Sequence, residues 1–267
     1  MSTRVLIGRS AALATMVGLL LALPSAAPAS RAQLTIFQDD RALLLSGAAK
    51  RERALNEIAA LGADTLHTIV GWSSIAPNPS SRRVPRADLS DPANYPAGAW
   101  ARLDALVTGA TSHGLELILA PAGPIPRWAS RCPRGSAHEL ASCRPDPKLF
   151  QAFVTALGRR YSGTFASGAA GASSRPAPTP MPGCSSTALG LAPCPPAMSA
   201  RATTPTTTDT LPRIHQWSIW NEPNQPGWLR PQYSGHGRSL TPVSPVLYRS
   251  LLRAGISGLQ ASGHGSD

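Results

Sequence analysis

The sequence predicts an α/β fold built on a parallel sheet, and three observations predict it. From residue 34 onward, short apolar runs alternate with longer amphipathic stretches, which is the mark of βα units. Breaker and cap residues fall at the joints, among them Gly62, Gly114 and the Asp146-Pro147 pair. An apolar content of 42% over 267 residues is enough to bury a core.

Taken in order, residues 34–38 form the first strand. Residues 48–61 form a helix, with Ala54, Leu55, Ile58 and Leu61 at helical spacing and Gly62 where a C-cap belongs. Residues 65–70 are the second strand, and a long Pro- and Arg-rich loop follows to Tyr95. The helix at 100–113 sets Trp100, Leu103, Leu106 and Val107 on one face and ends at Gly114. Residues 115–120 are the third strand, stopped by Pro121 and Pro124, and 148–161 are the third helix. The stretch 162–212 is nearly all Gly, Ala, Ser, Thr and Pro with little charge, a composition that cannot bury enough apolar surface to order itself. It predicts a disordered insertion. A fourth strand at 214–220 and a fourth helix at 245–261 follow, the helix with Val246, Leu247, Leu251, Leu252 and Ile256 apolar.

The formal charge is +11, yet the basic residues are almost all Arg and lie scattered, with no basic run and no nucleic-acid motif. Nucleic acid is therefore not the expected partner. Arg4 and Arg9 precede an apolar run at 11–23, then Pro24 and small residues up to Ala29, the layout of a secretory signal peptide over 1–29. Gly18 and Pro24 make the run too short for a membrane span. Losing the segment removes two arginines and no acid, taking the charge from +11 to +9. Export permits disulfides, and the four cysteines fall into two neighbouring pairs, Cys132 with Cys143 and Cys184 with Cys194, the simplest of three connectivities. Their spacings fit no common zinc pattern.

The most specific stretch is Trp217-Ser218-Ile219-Trp220-Asn221-Glu222-Pro223-Asn224, an apolar strand ending in a carboxylate beside an amide, with Trp228 just after. Asn and Pro favour turns for local reasons, so the tetrapeptide alone also reads as a polar turn. With its place at the end of the fourth strand, the chain resembles the retaining (β/α)8-barrel glycoside hydrolases, the clan that includes family 5 cellulases and mannanases and family 39 xylosidases. The resemblance covers roughly residues 33–265 without the insertion, and further rests on 36–40 after strand one, Trp72 with Ile75-Ala76-Pro77 after strand two, and 124–128 after strand three.

The resemblance implies a TIM-barrel type of fold with the site at the carboxyl ends of the strands. It assigns Glu222 as the acid/base that protonates the departing glycosidic oxygen and later takes a proton from water, and Asn221 as the partner of the sugar 2-hydroxyl. Glu222 would need an apolar wall, which Trp220 or Trp228 would supply. Trp72, Trp128, Trp220 and Trp228 are candidates for stacking on sugar rings, against the plainer reading of core packing. His67, near the place where many clan members carry Arg, reads first as a hydrogen-bonded core histidine. No metal or organic cofactor is implied, and the partner is a poly- or oligosaccharide.

Retaining hydrolysis also needs a nucleophilic carboxylate about 5 to 5.5 Å from the acid, which this clan carries as a Glu ending strand seven. After Glu222 the only acidic residue is Asp267, while Glu116 begins strand three and Glu52, Glu57 and Asp104 lie on helices. Of the remaining acids only Asp39 and Asp40 are geometrically conceivable. Four strands are half of a barrel, so the expectation is an N-terminal half, inactive alone and prone to self-association through exposed edges. Two other classes remain open: a carbohydrate-binding remnant without turnover, and a basic envelope-associated protein held by anionic polymers.

Overall fold

The computed structural model describes residues 33–166 and 210–267. The segment 1–29 and most of the insertion lie outside the described residues. So do Cys184 and Cys194, and with them the second expected disulfide. The fold described is that of the unit Thr35–Asp267.

Four parallel strands, β1 (Ile36–Phe37), β2 (Thr65–Gly71), β3 (Glu116–Ala122) and β4 (Gln216–Trp217), stand side by side in chain order β1-β2-β3-β4. In register, Leu66, Thr68 and Val70 of β2 lie opposite Leu117, Leu119 and Pro121 of β3, and all six are buried. Alternation puts His67 and Ile69 with Ile118 and Gln216 on the other face, where they are only half-buried. Ile36, sharing that face through its register with Thr65, is 54% exposed. One face of the sheet is thus a core and the other a partly open surface of mixed apolar and polar residues.

Seven helices accompany the sheet among the described residues: α1 (Asp40–Leu43), α2 (Ala48–Ala60), α3 (Trp72–Ile75), α4 (Ala101–Ser112), α5 (Ala137–Leu140), α6 (Pro147–Arg160) and α7 (Ser244–Ala261). The longer ones form where periodicity predicts them. In α2, Leu55 and Ile58 are buried and Gly62 takes φ +75° just past the end, but Leu61, expected on the buried face, is 79% exposed. Leu55 meets α4 at Gly109, where a Cβ would lie 2.9 Å from the Leu55 Cδ1. In α6, Asp146 accepts from the backbone N–H groups of Lys148 and Leu149, Pro147 fills the first turn, and Phe150, Phe153, Val154 and Leu157 are buried.

The last helix departs from its predicted face. Val246 and Ile256 are exposed, and α7 approaches the sheet and α6 on glycines instead. A Cβ at Gly255 would lie 2.7 Å from the Ile219 side chain, and one at Gly258 would lie 2.8 Å from the Gln151 carbonyl oxygen. Small residues let the helix axes come close, a signal that apolar periodicity does not carry.

The two ends of the predicted insertion fall among the described residues. Residues 162–166 and 210–212 are ordered, with Ala166 bridging Thr210, Leu211 donating to the Phe165 carbonyl, and Leu211 buried. Strand one is shorter than predicted. Strand four pairs formally over two residues, but Ser218 and Trp220 continue the ladder by donating to the carbonyls of Leu119 and Pro121 at 3.0 and 3.1 Å.

Two polar clusters tie the helical layer. Arg160 Nε and Nη2 donate to both oxygens of Asp104 at 2.7 and 2.5 Å, and Tyr161 donates to the same carboxylate at 2.9 Å, joining α6 to α4. The guanidinium lies over Trp100 and Phe165, and burial pushes the Tyr161 hydroxyl well above its ordinary range. After α7, buried His264 lies 2.6 Å from Asp267 and 2.9 Å from the Gly158 carbonyl, while Arg213 donates to Asp267.

Candidate active site

The β4 ladder delivers the chain to the carboxyl end of β3 and then bends abruptly. Trp220 has φ +71° and Glu222 φ +37°, left-handed conformations that L residues adopt at a cost of about 1 kcal/mol each. Asn221 sits between them, half-buried, and Pro223 follows. Two bends in three residues put Asn221 and Glu222 at the strand end, where plain alternation would have sent them to opposite faces.

The Glu222 side chain is exposed, and among the described residues its carboxylate has no hydrogen-bond or ion-pair partner. Its backbone carbonyl accepts from Gln225 N at 2.9 Å. The aromatic wall expected from Trp220 is not beside it. With positive φ, Trp220 turns its ring into the core, edge-on to Phe150 at 5.3 Å and 3% exposed.

The tryptophans therefore divide. Trp72 is fully buried, stacked on Phe153 at 5.5 Å and edge-on to Trp128 at 5.5 Å. Trp128 is 6% exposed and donates through Nε1 to the Pro77 carbonyl. Trp72, Trp128 and Trp220 form one aromatic cluster with Phe150 and Phe153 and offer no free face to a sugar, so the stacking role expected of them gives way to core packing. Trp228 is half-buried and keeps part of its ring in solvent.

The turn that carries Glu222 is secured from two sides. Gln232 donates through Nε2 to the carbonyls of Pro223 (3.0 Å) and Leu229 (2.6 Å), and its Oε1 accepts from Ser244 Oγ (3.0 Å) at the start of α7. No sequence signal marks this glutamine. From the other side, the loop after β3 is closed by the disulfide between Cys132 and Cys143, the first of the two expected pairs. The other pair, Cys184 with Cys194, lies outside the described residues. Arg144 N donates to the Arg230 carbonyl at 2.9 Å and Arg230 N to Ser142 at 2.8 Å. Arg230 Nε and Ser142 Oγ both donate to the Pro226 carbonyl. The loops after β3 and β4 are in effect one stitched layer.

The two acids conceivable as nucleophiles are engaged elsewhere. Asp39 caps α1 by accepting from Ala42 N at 3.0 Å. Asp40 is half-buried and accepts from Ile69 N and Gln38 Nε2, each at 3.3 Å. Burial raises its carboxyl above the ordinary range, against the opposing hydrogen bonds from Gln38 and Ile69. His67 Nδ1 lies 2.9 Å from Gln38 Oε1, so the expected hydrogen bond is present, but the residue is half-buried on the open face of the sheet and not in the core. Asp267 is tied to His264 and Arg213, with burial acting to raise its carboxyl and those hydrogen bonds lowering it below the ordinary range.

A scan against protein-family models and a search of curated proteins found no match to the chain. The reading of the site rests on its residues and their geometry.

Proposed function

We propose that the chain carries the acid/base half of a retaining glycoside hydrolase of the (β/α)8-barrel type, exported from the cell and acting on a poly- or oligosaccharide. The observation that carries this reading is the carboxylate of Glu222, without a partner among the described residues, beside half-buried Asn221 at the carboxyl end of the fourth strand of a sheet in sequential order. In a sheet of sequential strand order, crossovers of the usual right hand would all fall on one face, which supports a barrel wall in preference to a doubly wound sheet. The half-buried residues His67, Ile69, Ile118 and Gln216 on the other face would line the interior. The disulfide supports an oxidising compartment.

In this reading Glu222, protonated, gives its proton to the glycosidic oxygen as the bond to the anomeric carbon breaks. A second carboxylate takes that carbon as a covalent ester, and Glu222, now ionised, removes a proton from the water that displaces it. Asn221 holds the sugar 2-hydroxyl throughout. Asp39, Asp40 and Asp267 are all engaged in the fold, so in this reading the second carboxylate is none of these, and a further segment that completes the barrel would both supply it and cover the open face.

Titrating the 267-residue chain with cellotetraose, mannotetraose and xylotetraose, followed by backbone and side-chain amide NMR, tests the reading. The Asn221 side-chain amide and the Glu222 amide are expected to shift with one of them. Hydrolysis of nitrophenyl glycosides by the chain that persists in Glu222→Gln, or no response to any of the sugars, overturns it.

A further inference from the structure

With three tryptophans consigned to the core, only half-buried Trp228 of those expected to stack keeps part of its surface exposed, and the structure offers a second aromatic face that the tryptophan pattern does not reveal. Among the described aromatic residues Tyr233 is the most exposed, at 59%. It opens a two-stranded antiparallel hairpin, β5 (Tyr233–Ser234) and β6 (Thr241–Pro242), in which Tyr233 pairs with Pro242 and Ser234 with Thr241.

The hairpin is built to hold its shape. Gly235 has φ +88°, and a Cβ there would lie 2.3 Å from the Ser239 carbonyl oxygen, so only glycine closes the turn. At the base, Val243 N donates to the Gln232 carbonyl at 2.8 Å. Gln232 is the residue whose side chain holds the Pro223 carbonyl, one residue after Glu222. Tyr233 is therefore anchored, through its immediate neighbour, to the turn that carries the acid.

With more than half of its surface in water, Tyr233 contributes little burial to the fold. Pro242 opposite and Leu240 two residues before it, also exposed, extend the apolar strip, while exposed His236 and Arg238 in the connecting turn supply donors at its end. A flat apolar face edged by hydrogen-bond donors matches a pyranose ring, whose axial C–H groups meet the electron-rich face of an aromatic while its hydroxyls bond at the rim.

We propose that Tyr233 is a specificity-determining residue that stacks on a sugar unit next to the one Glu222 and Asn221 engage, so that the site selects oligosaccharides over monosaccharides. This rests on the glycosidase reading above. Calorimetric titration of the full chain with cellotetraose, mannotetraose and xylotetraose, and with the corresponding monosaccharides, tests it. For the tetrasaccharide that binds, Tyr233→Ala is expected to lower affinity about tenfold, Tyr233→Phe to keep it within twofold, and the preference over the monosaccharide to shrink accordingly. Tetrasaccharide affinity unchanged in Tyr233→Ala overturns this inference alone. If the unaltered chain binds none of the three, the glycosidase reading fails and the inference falls with it.

Discussion

Asp104 and Glu222 are both carboxylates, and the molecule treats them in opposite ways. Asp104 belongs to the helical layer, where two guanidinium nitrogens and a phenol converge on it between α4 and α6. Glu222 belongs to the loop layer at the carboxyl ends of the strands, exposed and unpaired on a backbone held in a conformation that glycine prefers. In the first region every strong interaction serves the fold. In the second, the Cys132–Cys143 link and the Gln232 and Arg230 contacts hold a strained turn whose own carboxylate bonds to nothing in the described fold. Under the proposed function that unengaged carboxylate is the group left free to react, whereas Asp104 is spent on the fold.

The largest effect that separates the two regions should come from the buried pair. Arg160→Ala leaves the Asp104 carboxylate without its bidentate partner and is expected to cost about 3 kcal/mol of unfolding free energy in urea. Glu222→Gln should stay within about 0.5 kcal/mol. Equal losses in the two variants would show that the loop carboxylate has a structural partner and would erase the contrast.

Next comes the stitching of the loop layer. Replacing Cys132 and Cys143 by Ser frees a loop closed over a sequence separation of 11 residues, a change expected to cost about 2 to 3 kcal/mol. If the layer is one unit, amide exchange of Arg144 and Arg230, which bond across the two loops, should speed up together in the double variant. Faster exchange confined to residues 124–145 would show that the loop after β4 stands by itself.

Smaller and opposite in sign is the strain at the acid itself. Glu222→Gly removes the side chain from a residue at φ +37° and is expected to raise stability by about 0.5 to 1 kcal/mol while abolishing any proton transfer. A destabilised Glu222→Gly would mean that the turn depends on contacts of the side chain, contrary to its exposure.

How much of this was legible in the sequence follows the same division. The helical layer was readable because periodicity reports burial: Leu55, Ile58, Trp100, Leu103, Leu106 and Val107 are where spacing puts them. It failed at α7, where Val246 and Ile256 face water because Gly255 and Gly258 make the close contacts, and absence of a side chain leaves no hydropathic trace. In the loop layer the position of Asn221 and Glu222 at a strand end was readable from the apolar run before them. The pairing of Cys132 with Cys143 was readable from proximity in the chain, whereas the same argument for Cys184 and Cys194 concerns residues outside those described. The direction of the tryptophans was not readable. A positive φ at Trp220 reverses its ring toward Phe150, and such a conformation is set by the tertiary packing around it, with no residue pattern to announce it. Gln232 and Tyr233 escaped notice because their importance lies in what they bond to or expose.

The smallest test concerns Asp40, which stands between the two regions as a half-buried acid at the end of the first strand. Burial raises its carboxyl above the ordinary value of 3.8, with Gln38, Ile69 and His67 opposing the shift. A group whose folded-state pKa is raised contributes stability that is fully present below the unfolded value and is lost as pH rises through the folded value. Ionised Asp40 is therefore a mild cost near neutrality. Asp40→Asn keeps an acceptor for the Ile69 N–H and removes the charge, so at pH 7 it is expected to be more stable than the unaltered chain by about a few tenths of a kcal/mol. Below about pH 3.8 that difference should close, because both side chains are then neutral. Urea unfolding of both proteins from about pH 3 to neutrality reads it directly. A difference that does not change with pH would mean that Asp40 is as well solvated in the fold as Glu222, removing it as an intermediate case between the buried acid and the free one.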